Sequence, residues 1–168
     1  MLISHKKKFI TIDIPKTGTR SLRETLTPLD IVDIAGQETG KFCQHSTALD
    51  CMRDLGSKLI FKNYFSFCIV RNPWERYLSF FKYYQEKAKE YLEAKNYKEW
   101  NIYKIKQGKY CLNLFNKKNE QEILKIIINK NLSQSQYFTN KNKDIIVSYV
   151  ALFENIKKNL ITFAKLLK

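Results

Sequence analysis

The feature that most constrains the fold is an apolar run that ends on a charged residue and is followed at once by the start of a helix. Residues 64–70, YFSFCIV, carry no charged side chain and predict a strand apolar enough for the centre of a parallel sheet. Asn72 and Pro73 are typical of the first positions of a helix. Neither element needs Arg71 at the junction. An anionic ligand would explain why an arginine stands there.

A second strand leads into a helix through a glycine-containing turn. Residues 9–14, FITIDI, alternate apolar and polar side chains and predict a strand, and residues 15–21, PKTGTRS, follow it. A turn of this kind aims backbone N–H groups and the positive end of a helix at one point, which favours a phosphate site. Gly18 permits close backbone approach, and Lys16 brings a mobile charge. The alternative is an ordinary turn with a solvated lysine.

The turn differs from the common loop that binds nucleoside triphosphates. In GxxxxGK[ST] the lysine directly precedes the hydroxyl residue that holds magnesium. Here Lys16 precedes the glycine, and Arg20 stands before Ser21. A magnesium-dependent kinase or GTPase is therefore disfavoured.

The rest of the chain alternates predicted strands and helices, which is the pattern of an α/β fold. We predict one domain over residues 1–168 with a P-loop-like, three-layer architecture, in which helices flank a largely parallel central sheet. A third strand lies within 144–153, and 96–119 is a mixture of loop and helix. The predicted helices, besides the one opening near Arg20, are 45–56 (capped by Thr47 with Asp50, and closed by Gly56), 73–95, 120–129 and 154–168. Helical spacing places the aromatic stripe of Trp74, Phe80, Phe81 and Tyr84 in the core rather than against an adenine.

The charge of the chain favours an anionic partner. The formal net charge is +14, which suits a nucleotide, an acidic glycan, nucleic acid or a membrane surface. Lysine supplies most of this charge, and the arginines are confined to the first half of the chain. The planar fork of arginine binds phosphate through two hydrogen bonds, so the few arginines mark where such binding is expected.

Cysteine spacing and hydropathy give the expected environment. Cys43, Cys51, Cys68 and Cys111 show no zinc-like spacing and predict reduced, partly buried thiols. No apolar segment approaches the ~20 residues of a membrane span, and the first residues lack the apolar region of a secretory signal. We therefore expect a cytoplasmic protein.

Four segments together resemble the sulfotransferases that use 3′-phosphoadenosine 5′-phosphosulfate. IPKTGTRSL resembles their 5′-phosphosulfate loop, and VRNPWERYLSF resembles their 3′-phosphate motif. The match is to the carbohydrate branch (sulfotransferase family 2), with the patterns PKTG-x-x-S and VRNP-x-x-R-x-x-S. QHSTALDCMRDLG is similar to the HxTA helix that lies between these motifs, and ALFENIKKNL to a late FENL segment.

The resemblance implies a function and a set of site residues. The donor is 3′-phosphoadenosine 5′-phosphosulfate, no metal is needed, and the acceptor is a glycan or another molecule with a hydroxyl group. Adenosine 3′,5′-bisphosphate leaves when the acceptor hydroxyl attacks sulfur in line. Arg71 and Ser79 are expected on the 3′-phosphate, while the role of Arg76 is structural or supportive. The residues expected around the 5′-phosphosulfate are Lys16, Thr17, Gly18, Thr19, Arg20 and Ser21.

Two catalytic roles are expected. Lys16 would offset the negative charge that grows on the bridging oxygen. His45 is the first candidate for the general base, since neutral histidine accepts protons near physiological pH. The alternative is a surface histidine beside a helix start, in which case Asp13 and Glu38 are the reserve candidates, and Glu38 is preferred. His5 is expected to be inert.

Two other functions remain open at this stage. One is a module that binds the donor or its product without catalysing transfer. The other is a basic nucleic-acid-binding protein, although no RNP, zinc-finger or helix-turn-helix signature is found. The pattern specifies neither the acceptor nor the oligomeric state.

Overall fold

The computed structural model describes residues 1–27, 32–36, 43–94 and 100–159. The chain divides into two compact units: residues 1–72 with 133–168, and residues 73–132. The expectation of one domain over 1–168 stays a prediction.

In the first unit, the described strands form one five-stranded sheet in the order β3-β1-β2-β4-β5. Their bounds are Leu2–Ser4 (β1), Phe9–Ile12 (β2), Ile34–Ala35 (β3), Phe65–Val70 (β4) and Tyr149–Leu152 (β5). β4 pairs in parallel with β2 and β5, whereas β1 pairs antiparallel with β2 and β3. Because only β1 is reversed among these five, the sheet is mostly parallel, as predicted. The pattern had not predicted β1 or β3.

Helices cover both faces of this sheet. They are α1 (Thr19–Leu26), α2 (Ala48–Asp54) and α3 (Lys58–Asn63). On one face Ile10 and Ile12 share a buried cluster with residues of α2 and α3. On the other face Phe9 and Phe67 pack with Leu22 of α1. Successive strand side chains point to opposite faces, so burial on both faces gives the predicted arrangement of helices around a sheet.

Local capping fixes where α2 begins. The Thr47 hydroxyl accepts from the Asp50 N–H, and the Asp50 carboxylate accepts from the Thr47 N–H, which confirms the predicted capping pair. Gly56 follows the helix with a φ of +69°, a conformation that favours glycine.

The second unit contains three helices within its described residues. They are α4 (Pro73–Glu93), α5 (Ile102–Lys117) and α6 (Glu120–Lys130). α5 is a continuous helix where the sequence had predicted loop and helix mixed. The shared core consists of Phe80, Ile123 and Ile127, with Tyr77, Phe81, Tyr84 and Phe115 packed against it.

The predicted aromatic stripe of α4 was partly wrong. Phe80 is buried as expected, but Trp74 is 77% exposed. The fully packed residues of α4 are Arg76, Phe80 and Ala88, which follow helical spacing from Arg76 rather than from Trp74. The core stripe is therefore offset from the one that aromatic residues alone predict.

The remaining expectations concern the cysteines and the chain end. Cys51, Cys68 and Cys111 are free and buried, and burial raises the pKa of the Cys51 and Cys68 thiols to about 12. Residues 156–159 are helical, while the rest of the predicted closing helix lies outside the described residues. Among the helices described, none combines the length and apolar content required to cross a membrane.

Candidate functional site

The loop after β2 presents backbone donors. Lys16 and Gly18 have positive φ values of +67° and +82°, and Gly18 is the N-cap of α1 with no side-chain hydrogen bond capping the helix. The first N–H groups of a helix have no acceptor inside it. The first N–H groups of α1, from Thr19 onward, therefore lie beside this loop at the positive end of the helix. Backbone N–H groups arranged in this way can bind an anion.

Buried hydrogen bonds hold this loop in place. The hydroxyl of Thr17, which is fully buried, donates to the Ile14 carbonyl at 2.9 Å. The buried Asp13 carboxylate accepts from the Thr11 hydroxyl at 2.9 Å and from the Arg23 guanidinium at 3.1 Å. The expected ligand contact of Thr17 would therefore come from its backbone, since its hydroxyl serves the loop itself. Asp13 likewise holds the structure through an ion pair.

Two other predicted residues lie on the surface of α1. The Arg20 side chain is 90% exposed and donates to the Glu24 carboxylate one turn on, at 2.9 Å. Ser21 is exposed, whereas Thr19 is buried. The backbone N–H groups of Arg20 and Ser21 belong to the first turn of α1 and could donate to a ligand there. The contacts of Arg20 and Ser21 with a 5′-phosphosulfate stay predictions.

His45 lies against the start of the same loop. Its Nδ1 is 2.8 Å from the Asp13 carbonyl oxygen. A carbonyl oxygen only accepts, so Nδ1 carries the hydrogen, and Nε2 of the neutral ring has the free electron pair. Desolvation lowers the pKa of His45, against the opposing effect of its hydrogen bond to Asp13. His45 is thus held in the tautomer of a general base.

The other base candidates are differently placed. His5 is exposed in the turn between β1 and β2, where Nδ1 is 2.7 Å from the Tyr64 hydroxyl. Glu38 lies outside the described residues.

The segment after β4 is held by residues that are distant in sequence. Gln134 accepts from the Arg71 N–H at 2.8 Å and donates to the Arg71 carbonyl at 2.7 Å. The Glu154 carboxylate accepts from the next N–H, that of Asn72, at 2.8 Å, and this bond is the main cause that lowers the pKa of Glu154. The Arg71 guanidinium lies over the Phe153 ring, 4.6 Å from its centre. Backbone and side chain of Arg71 are therefore both oriented.

The two segments leave the sheet at one edge. β2 and β4 are paired in parallel with Ile12 opposite Cys68, so their carboxyl ends lie side by side. Phe153 also contacts the loop, because a Cβ added to Gly18 would be 2.7 Å from its ring. A single aromatic ring thus contacts both Gly18 and Arg71. Open α/β sheets bind ligands at this edge.

The comparison with protein families decides which family this chain belongs to. Residues 1–166 match the family model described as the sulfotransferase family. The chain belongs to that family. Neither a curated protein nor a solved structure matches it. A sulfotransferase passes a sulfonyl group to an acceptor, and the family therefore accounts for an anion site at the sheet edge.

The second half of the arginine motif lies in the other unit of this sulfotransferase. Arg76 is 1% exposed, donates to the Leu132 carbonyl at 3.1 Å and lies over the Phe80 ring at 5.2 Å. Arg76 thus stabilises the helical unit, in line with the structural role left open for it. Ser79 is half-buried on α4, and its expected contact with a 3′-phosphate stays a prediction.

Sequence reasoning missed three residues that hold this candidate site. Phe153 and Glu154 belong to the late FEN segment, which was noticed as a resemblance but given no role. Gln134 had no signal, because a lone glutamine in a polar loop has no motif. Within the described ranges, no group of histidine, cysteine or acidic side chains could hold a metal ion, and the metal-free reaction stays a prediction.

Proposed function

We propose that this sulfotransferase takes its sulfonate group from 3′-phosphoadenosine 5′-phosphosulfate and transfers it to a hydroxyl group of a carbohydrate. The observation that carries the proposal is the pair of anion-binding segments at one sheet edge, joined by Phe153. Two such segments suit a nucleotide with phosphates at both ends of its ribose.

The residues present fit this donor. The backbone donors around Gly18, with the ammonium group of Lys16, would hold the 5′-phosphosulfate. The fork of Arg71, already oriented by its neighbours, would hold the 3′-phosphate through two hydrogen bonds. Ser79 is assigned to the same phosphate on the motif alone.

The chemistry requires one base and one electrophilic stabiliser. When bound, the donor supplies the sulfonate group and leaves as adenosine 3′,5′-bisphosphate. His45 would accept the proton of the acceptor hydroxyl at Nε2 as the new O–S bond forms. Lys16 would offset the charge that remains on the bridging oxygen as the old S–O bond breaks. Both residues belong to the loop side of the site.

The acceptor class rests on the resemblance to the carbohydrate branch. The net charge of +14 is compatible with an acidic glycan, since a strongly basic protein attracts anionic substrates.

Two measurements test the proposal. Isothermal titration with adenosine 3′,5′-bisphosphate should show saturable binding that persists at high salt. Transfer of radiolabelled sulfate from the donor to a panel of glycans should then label at least one of them. Binding without any transfer would favour the inactive module, and no nucleotide binding would overturn the proposal. A binder of generic nucleic acid would instead lose affinity steeply with salt.

A further inference from the structure

Phe153 stands where the two anion-binding segments meet. It begins a 3-10 helix, Phe153–Asn155, directly after β5. Its ring carbons Cε2 and Cδ2 are 2.7 Å and 3.0 Å from the position that a Cβ on Gly18 would occupy. The face of the same ring lies under Arg71, whose Cζ atom is 4.6 Å from the ring centre. The same ring therefore touches both the glycine loop and the arginine.

The surroundings of Phe153 are ordered. The ring packs with the cluster that contains Leu22 of α1 and Ala151 of β5. The buried Asn159 donates to the Leu152 carbonyl at 2.8 Å, which fixes the residue just before Phe153. A ring held in this way is a rigid surface for the groups that lie on it.

An arginine on a rigid ring is prepared for a planar ligand contact. A guanidinium over an aromatic face is attracted to the negative charge of that face and stacks on it. Ordering a long side chain on binding costs conformational entropy, and a side chain that is already ordered avoids part of that cost. Arg71 gains this preorganisation from Phe153.

We propose that Phe153 is a positioning residue that makes this site specific for nucleotides with a 3′-phosphate. It orients the fork of Arg71 and sets the spacing between that fork and the Gly18 loop. The inference rests on the proposed function, because it assigns Arg71 to the 3′-phosphate.

The test compares two nucleotides on one variant. Phe153→Leu keeps an apolar side chain but removes the planar face under Arg71. Isothermal titration would measure the affinities for adenosine 3′,5′-bisphosphate and for adenosine 5′-phosphate, which lacks the 3′ group. We expect the bisphosphate affinity to fall at least about threefold, the lower part of the cation–π range, while the monophosphate affinity stays the same.

Three controls isolate the ring. Phe65→Leu removes an aromatic ring at the first residue of β4, the end of that strand away from Arg71, and it should change neither affinity. Phe153→Tyr keeps the aromatic face and should keep the wild-type ratio of affinities. In the Arg71→Ala background, Phe153→Leu should add no further loss of bisphosphate affinity. Phe153→Met serves if the leucine variant fails to fold.

The outcomes are distinct. An equal loss for both nucleotides would mean that Phe153 only supports the loop, and would overturn the inference, as would no change for either. If the wild-type protein binds neither nucleotide, the proposed function itself fails, and this inference fails with it.

Discussion

The two segments that we propose to bind the phosphates differ in how they are held. The hydrogen bonds that hold the glycine loop are local, since the Thr17 hydroxyl bonds to Ile14 and the N-terminus of α1 follows immediately, and Phe153 adds one distant packing contact. The arginine segment is held by Gln134, Phe153 and Glu154, which come from 63 to 82 residues further along the chain. Both segments end parallel strands of one sheet, yet only the first contains its own support.

This difference separates two kinds of site. A loop that supports itself is a property of a short sequence, and it forms wherever a strand and a helix flank it. An arginine supported by distant residues depends on the packing of the whole unit. Substitutions at the glycine loop should therefore change backbone strain or the chemical step. Substitutions around Arg71 should change nucleotide affinity through the orientation of its guanidinium group.

The largest effect is expected on the rate of sulfate transfer when the proposed general base, His45 beside the glycine loop, is replaced. His45→Ala should lower turnover by a factor on the order of 10²–10⁴, the usual contribution of a general base. Affinity for adenosine 3′,5′-bisphosphate should change little, because His45 bonds to the Asp13 carbonyl and not to any group that is expected to bind a phosphate. The sulfate-transfer assay measures this, with His5→Ala as the matched control. Undiminished turnover would remove His45 from the mechanism.

A smaller effect is expected from Gly18→Ala on the free energy of unfolding. The left-handed φ of +82° should cost about 1–2 kcal/mol. The contact of 2.7 Å with the Phe153 ring should add about 1–3 kcal/mol. Chemical denaturation measures the sum.

Gly56→Ala provides the control for that strain. Gly56 has a similar φ of +69°, but within the described part of the chain no atom other than those of its chain neighbours lies within 4 Å of its Cβ position. It should lose only the backbone contribution. Equal losses at Gly18 and Gly56 would mean that the Phe153 ring does not constrain the loop.

On the arginine side, Arg71→Ala should weaken binding of adenosine 3′,5′-bisphosphate by at least about 1.5 kcal/mol, the lower limit for a charged hydrogen bond. Arg71→Lys should recover only part of this, because an ammonium group lacks the planar fork. Arg53→Ala removes the same charge from the exposed surface of α2 and should leave the affinity unchanged. Equal affinities for the wild type and Arg71→Ala would contradict the assignment.

A smaller loss of nucleotide affinity is expected when Gln134, which bonds to the backbone of Arg71, is replaced. Gln134→Leu removes both hydrogen bonds to Arg71, each of which contributes about 0.5–1.5 kcal/mol to holding the segment. Part of that loss should appear as reduced affinity for the bisphosphate, smaller than the loss for Arg71→Ala. Gln136→Leu, at a neighbouring exposed glutamine, is the control. A loss equal to that of Arg71→Ala would mean that Gln134 itself binds the nucleotide.

The smallest effect is a displacement of the pH profile. Desolvation lowers the pKa of His45 below its ordinary value of 6.5. A general base works when neutral, so turnover should rise with pH and reach half its plateau below pH 6.5. A pH series of the transfer assay measures the midpoint. A midpoint above 6.5 would mean that His45 is not the titrating base.

The sequence by itself determined several of the elements and the glycine turn. Local propensity, apolar runs and capping predicted β2, β4, β5, α2 and the start of α4, because each of these depends on neighbours within a few residues. The Gly18 turn was predicted for the same reason. The strand β1 was not, since three residues carry too little pattern, and the stripe of α4 was offset because Trp74 is aromatic but exposed.

Only the tertiary structure decided what surrounds Arg71 and which tautomer His45 adopts. Phe153 reaches Arg71 because β5 pairs beside β4, and that pairing joins residues about 80 positions apart, while Gln134 reaches it from 63 positions away. His45 meets the Asp13 carbonyl because the chain returns to the loop after more than thirty residues. Contacts of this kind arise when a folded core brings distant segments together, and no local pattern of side chains encodes which partners will meet.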